Sequence, residues 1–211
     1  MARQAGVEPE FVAWPEFRRL TGLTDDDKHQ GACVFAAPRR VLAEHDLDRL
    51  AQGRLVIALD QISDPQNLGA VLRSAAFFGA DAVLLLKNRS AELTPKVARI
   101  AVGGAEFVDV FRVINLARSL DTLREHGYWV YGLDERAAHT LRETDFDPRS
   151  VLVVGAEGQG LRQRTRTKCD VLVRIPIAAR TESLNAGVAA GIALYEVATV
   201  RGLGPRSAAP S

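Results

Sequence analysis

The chain alternates between short, wholly apolar runs and longer segments in which apolar residues recur every three or four positions. Leu55-Val56-Ile57-Ala58-Leu59, bounded by Gly53 and Asp60, has no polar face, the pattern of a parallel strand covered on both sides. Further strands are expected at 82–86, 107–111, 129–133, 151–154 and 171–174, with a short one at 32–34. Between them the spacing predicts helices over 38–51 (Val41, Leu42, Leu47 and Leu50 on one side), over 69–78 with Gly79 as cap, and from Thr94-Pro95 to about Gly103-Gly104. A helix over 115–126 ends at Gly127, a short one starts at Leu161, and the last covers 184–200. Ala, Val and Ile lie nearly all round that last helix, which predicts burial on more than one face. Strands alternating with helices predict an α/β fold: a mostly parallel sheet with helices on both faces.

Residues 1–31 are polar and poorly periodic, and 202–211 hold only Gly, Leu, Pro, Arg, Ser and Ala, a tail expected to be disordered. A length of 211 residues suits one sizeable domain with short appendages. Charge changes the picture little. Twenty-seven basic residues face 26 acidic ones, so the total selects no nucleic-acid partner, although a local basic patch remains compatible with one. Cys33 and Cys169 have no metal-ligand partners at useful spacing and are expected to be reduced thiols, with no metal bound. Met1-Ala2-Arg3-Gln4 runs into Glu8 and Glu10 without the apolar core of a signal peptide, and no apolar stretch approaches the roughly 20 residues of a membrane span. A soluble cytoplasmic protein is expected.

The candidate chemistry sits at three strand ends, where open α/β sheets collect ligands. After the first, Asn67-Leu68-Gly69 opens a helix on which Arg73 lies one turn beyond Gly69, a planar fork of donors suited to phosphate. After the second, Gly155-Ala156-Glu157-Gly158-Gln159-Gly160 lets backbone pass close to a ligand. Its glycine order is not the dinucleotide fingerprint, and no phosphate-loop lysine follows, which argues against NAD and ATP. Glu157 would repel a pyrophosphate and suits a cofactor carrying positive charge. After the third come Ile175-Pro176-Ile177 and then Ser183-Leu184-Asn185. Ser183 is a candidate helix cap, and Asn185, heading an apolar helix, is expected to be buried and in need of partners.

Asn67, Gly69 and Arg73, then Val154 to Gly160, then Ile-Pro with Ser-Leu-Asn resemble the three ordered motifs of the SpoU (TrmH) family of the SPOUT superfamily, over roughly residues 30–200. The resemblance implies an S-adenosylmethionine-dependent RNA ribose 2′-O-methyltransferase acting on ribosomal or transfer RNA, whose C-terminal segment forms a trefoil knot (the alpha-beta knot). It implies cofactor contacts from Gly155, Gly158, Gly160, Ile175, Pro176, Ile177 and Leu184, and a catalytic cluster of Asn67, Arg73, Glu157, Ser183 and Asn185, with Asn67 and Glu157 holding Arg73 in place. Arg73 would orient the ribose hydroxyl and its phosphate, since a guanidinium resists deprotonation. Ile177, Ala179 and Ala186-Gly187 stand where the family usually has methionine, glycine and Val-Ser, and Ala179 would narrow the adenosine pocket. Many relatives carry an L30-type RNA-binding domain ahead of the catalytic one. Lys28-His29-Gln30-Gly31-Ala32 resembles its end, so 1–31 is expected to be an extension or a remnant of that domain, with 32–201 the methyltransferase domain. Arg39, Arg162 and Arg164 are the candidate RNA contacts, beside Arg40, Arg166 and Lys168, and a homodimer is expected. The competing readings are a silent RNA-binding relative and a base-nitrogen methyltransferase of the same fold.

Overall fold

A computed structural model describes residues 6–25, 29–35, 37, 39–178 and 183–200. Lys28, Ala179 and the tail 202–211 lie outside the described residues. The chain divides into two compact units, 1–39 and 40–211.

In the first unit, α1 (Trp14–Thr21) begins with Pro15 in its first turn and ends at Gly22, whose left-handed backbone (φ 66°) lets its N–H reach the Arg18 carbonyl at 2.9 Å. The Trp14, Phe17 and His29 rings cluster with centroids 5.1–5.2 Å apart. Trp14, Phe17 and Leu20 recur every third residue, but two turns are too short for that spacing to stand out from the polar residues around it. The strand expected at 32–34 does not form; residues 32–35 lie exposed without a strand partner.

The second unit is one eight-stranded sheet. Its strands are β1 (Leu42–Ala43), β2 (Leu55–Asp60), β3 (Ala82–Leu86), β4 (Asp109–Val113), β5 (Trp129–Leu133), β6 (His139–Thr140), β7 (Ser150–Gly155) and β8 (Val171–Arg174). Their order is β1-β4-β3-β2-β7-β5-β8-β6, and every pairing is parallel. The mostly parallel sheet expected from the apolar runs is wholly parallel. Alternate residues of β2 feed two cores: Leu55, Ile57 and Leu59 pack with Leu68, Val71 and Leu72, whereas Val56 and Ala58 face Leu116, Leu120 and Leu123.

Those cores are closed by α2 (Pro65–Phe77), α3 (Pro95–Ala101), α4 (Leu116–Glu125), α5 (Gln163–Arg166) and α6 (Ala186–Val200). Asp64 caps α2 by accepting from Gln66 N–H at 2.9 Å, with Pro65 at the first helical position, so α2 starts four residues earlier than periodicity alone suggested. Gly69 lets α2 and α3 approach closely, since a Cβ there would lie 2.5 Å from the Ile100 side chain. The helix expected over 38–51 is instead β1 followed by a 3-10 helix, Glu44–Gln52. Its turn is set by Asp46, which accepts from the Ala43 N–H at 2.9 Å and halts the strand.

Helix α6 corrects one expectation. Ala190, Ala193, Leu194 and Val197 are buried, but Val188 and Tyr195 are each about half exposed (51% and 53%). Apart from Glu196, which pairs with Arg142, the helix is largely apolar without being buried all round. Its open stripe and α2 form a shallow groove of about 480 Å³ bordered by Ala70, Phe78, Val188, Ile192 and Tyr195. No described helix is long and apolar enough to cross a membrane.

Candidate active site

The central strands β2 and β7 are paired in register, so Asp60 stands opposite Gly155 and the loops that follow both strands leave the sheet side by side. After β7 the chain folds back on itself. The Gly160 N–H donates to the Ala156 carbonyl at 2.8 Å, and Gly158 and Gly160 adopt left-handed backbone (φ 74° and 65°). Gly155 has an ordinary φ. It is needed because a Cβ there would lie 2.2 Å from the Gly160 carbonyl carbon.

The end of this loop is tied to β2. The fully buried Asp60 carboxylate accepts from Arg162 Nε at 2.7 Å and from the Arg162 backbone N–H at 3.0 Å. Arg162, expected as an RNA contact, is therefore an internal strut. The sequence signal was present in Asp60, an acid ending a wholly apolar run, but its partner lies 102 residues away. Removing the Arg162 side chain leaves the buried Asp60 carboxyl without its guanidinium partner. Arg162→Ala should therefore cost about 1–3 kcal/mol, discounted from a fully buried pair because Arg162 is partly exposed. Thermal melting that leaves the variant as stable as the parent would refute this role.

The rest of the basic run is mostly spent within the fold. Arg166 pairs with Asp134 at 2.7 Å and Lys168 with Asp121 at 2.6 Å. Arg164 is exposed, and its guanidinium has no hydrogen bond or ion pair among the described residues. Arg40 lies 3.8 Å from Asp46, and Arg39 does not stand free either.

Burial pushes the Asp134 carboxyl up, but the Arg166 hydrogen bond, the Arg136 N–H and both positive charges outweigh it and hold the group below the usual carboxylate range. A lowered folded-state value means that the contribution is present above the unfolded value, about 4, and is lost as pH falls through the folded value. Asp134→Asn should flatten that acid limb of the pH–stability curve by less than about 1 kcal/mol, since Arg166 is partly exposed. Melts from pH 7 down to 3 would check it. Cys169 behaves as a small apolar residue. Burial first, and then the Asp170 charge, push its thiol up to about 12, and both cysteines are free.

At the head of α6 the three strand ends meet. Asn185 Nδ2 donates to Asn67 Oδ1 at 2.7 Å and to Glu157 Oε2 at 3.5 Å, while its Oδ1 accepts from the Val188 N–H at 3.1 Å. Asn185 rather than Ser183 therefore caps the helix. It is exposed, and the buried member of the group is Asn67.

Arg73 does not join this trio. It lies six residues past Asn67, about 120° round the helix, exposed, with its Cα against Gly104 and no hydrogen bond or ion pair among the described residues. The expectation that Asn67 and Glu157 hold it in place is corrected by that helical offset.

Two clefts flank the Ala156–Gln159 wall. The larger, about 670 Å³, is bounded by the glycine loop, by the apolar side chains of Ile175, Ile177 and Leu184, and by Ser183 and Asp134. Gly155, Gly158 and Gly160 all border it; Pro176 is exposed and does not. The smaller, about 490 Å³, is bounded by Gln61, Asn67, Arg89 and the same Glu157 and Gln159. The larger falls in the size range of small-molecule sites, with apolar walls for a flat ring and the carboxylates of Asp134, Glu135 and Glu157 for a cation. Among the described residues no His, Cys, Asp and Glu group could hold a metal.

Residues 54–195 match the model of the SpoU rRNA Methylase family. The chain is 41% identical over 184 residues to a 23S rRNA (guanosine-2′-O-)-methyltransferase RlmB of Photobacterium profundum, covering 83% of this chain and 75% of that relative. To the protein of the same name from Acinetobacter baylyi it is 42% identical over 207 residues, 95% and 82% of the two chains. Among solved structures it is similar to the SpoU methyltransferase AviRb from Streptomyces viridochromogenes in complex with AdoMet (TM-score 0.69, 30% identity, 75% of this chain and 66% of that one). An AdoMet-bound rRNA methyltransferase from Sinorhizobium meliloti also matches (TM-score 0.69, 28% identity, 78% and 62%).

Proposed function

The chain belongs to the SpoU rRNA methylase family, and we infer from that membership and from its site an RNA ribose 2′-O-methyltransferase that uses S-adenosylmethionine and acts on ribosomal RNA. The observation that carries this reading is the wall shared by two clefts, at whose edge Asn67, Glu157 and Asn185 are joined. A transfer reaction needs two substrates to meet across one small region. The larger cleft suits the methyl donor: Ile175, Ile177 and Leu184 offer apolar surface to the adenine, the glycine loop offers backbone groups, and Glu157 offers charge to the sulfonium.

When bound, S-adenosylmethionine supplies a methyl group activated by positive sulfur. The chain's own residues then have to align the 2′-hydroxyl and exclude competing geometries, a task in which positioning dominates. Asn185 and Asn67 fix the position of Glu157 at the edge of the donor cleft. Arg73, exposed on α2 and outside both clefts, meets an RNA phosphate there, and Ser183 stands at the mouth of the larger cleft.

The C-terminal helix α6 is, in this reading, threaded as a trefoil knot. Support comes from its course: β8 lies beyond β5, yet α6 packs back on α2 and β7. In chain order the first unit precedes the catalytic one, as the RNA-binding domain does in many relatives.

The protein acts as a homodimer built on the α2–α6 groove, whose exposed Val188 and Tyr195 form an apolar stripe at helical spacing. Tyr195→Glu should convert dimer to monomer in light scattering; an unchanged mass would remove this interface.

The activity is tested with methyl-tritiated S-adenosylmethionine and ribosomal RNA fragments. A 2′-O-methyl group blocks alkaline cleavage at the neighbouring phosphate, so label should appear in alkali-stable dinucleotides. Label recovered only in mononucleotides would indicate base methylation and overturn the assignment.

A further inference from the structure

The smaller cleft has features that the donor site does not use. It shares Ala156, Glu157 and Gln159 with the larger cleft, so the two are back to back across one loop. Its far rim is formed by Gln61, directly after β2, and Arg89, in the loop after β3, both in left-handed backbone (φ 66° and 59°). For residues other than glycine that conformation costs free energy, and such residues concentrate at functional sites.

The Gln61 and Gln159 side-chain amides and the Arg89 guanidinium make no hydrogen bond or ion pair among the described residues. By contrast the Asp64 carboxylate at the same rim is engaged as the cap of α2. The cleft thus offers two unpaired amides, each with a donor and an acceptor edge, and one unpaired fork of donors. Amides of this kind pair with base edges, and guanidinium with phosphate.

We propose that this smaller cleft receives an unstacked acceptor ribonucleotide, with Arg89 holding its phosphate and the amides of Gln61 and Gln159 facing its base. The proposal rests on the methyltransferase reading and adds to it the site of the second substrate. Single-stranded RNA suits the arrangement, because a splayed nucleotide presents base edge, ribose and phosphate together. The ribose of a nucleotide so held lies toward the shared wall, beside Glu157 and Asn67.

The test compares the parent with Arg89→Ala, Arg89→Lys and Gln61→Ala, using a ribosomal RNA fragment that the parent methylates. Arg89 is exposed and unpartnered, so its variants should melt with the parent and bind S-adenosylmethionine equally in calorimetry. Arg89→Ala should raise the KM for RNA about tenfold and lower the log–log salt slope of RNA binding by about 0.7, the loss of one phosphate contact to a single strand. Arg89→Lys should restore the salt slope. Gln61→Ala should leave that slope alone and relax the discrimination among acceptor nucleotides. Unchanged KM and slope in Arg89→Ala, with the parent active, would overturn this site and leave the enzymatic reading intact. A parent that methylates no RNA would overturn both.

Discussion

Arg73→Ala is expected to abolish methyl transfer while the affinity for S-adenosylmethionine stays as in the parent. The two readouts separate because Arg73 borders neither cleft, so removing it takes nothing from the donor site. Its guanidinium is exposed and unpaired, the state of a group kept for a partner that arrives from solution. A charge-assisted contact to phosphate is worth about 1.5–3 kcal/mol, which is roughly 10- to 150-fold in rate before misalignment of the hydroxyl is added. Arg73→Lys should recover little, since one ammonium cannot reproduce the planar, two-pronged contact of a guanidinium with phosphate. Stability should be untouched in both variants. The measurement is single-turnover transfer beside donor calorimetry, and full transfer by Arg73→Ala would remove Arg73 from the reaction.

What the sequence made legible follows from which forces act locally. The three apolar strand ends stood out because strands buried on both faces need unbroken apolar runs, and those runs fix where the ligand loops begin. The alternation of β2 between two cores follows from the same rule. Asn67, Glu157 and Asn185 could be named as a group from motif order, but not their contacts, because Asn185 reaches Asn67 across 118 residues. Asp60 and Arg162 are not legible as a pair for the same reason, and Arg162 looks like a surface cation because its neighbours are basic. The motif puts Arg73 on α2, but the helical offset from Asn67, which no local signal reports, turns it away from the partners the motif implies. The 44–52 segment failed differently. Leu47 and Leu50 are buried by a 3-10 helix as readily as by an α-helix, so their spacing does not choose between the two. The two-residue strand β6 is too short to carry any period.

Gly155→Val should break the donor site, though not by occupying it. Gly155 has an ordinary backbone conformation, so a larger residue is not excluded there by φ. The obstacle is the loop's own return. A Cβ at 155 would lie 2.2 and 2.3 Å from the carbonyl carbon and oxygen of Gly160 and 2.6 Å from the Leu161 nitrogen, and all three are backbone atoms that cannot rotate aside. They are held in place by the Ala156–Gly160 bridge on one side and by the Arg162–Asp60 pair on the other. Valine therefore has to open the loop, pulling Glu157 from Asn185 and removing the wall between the clefts. Overpacking of this kind costs about 1–3 kcal/mol or more, or a fall of several degrees in Tm for a domain of this size. S-adenosylmethionine should bind about 100-fold more weakly if the site loses about 3 kcal/mol of contacts. Gly158→Ala separates this mechanism from simple loop strain. Its φ is 74° but nothing lies within 4 Å of an added Cβ, so it should cost stability without closing or opening the cleft. Donor binding by Gly155→Val at parental affinity would show that the loop yields freely and that the glycine is not what shapes the site.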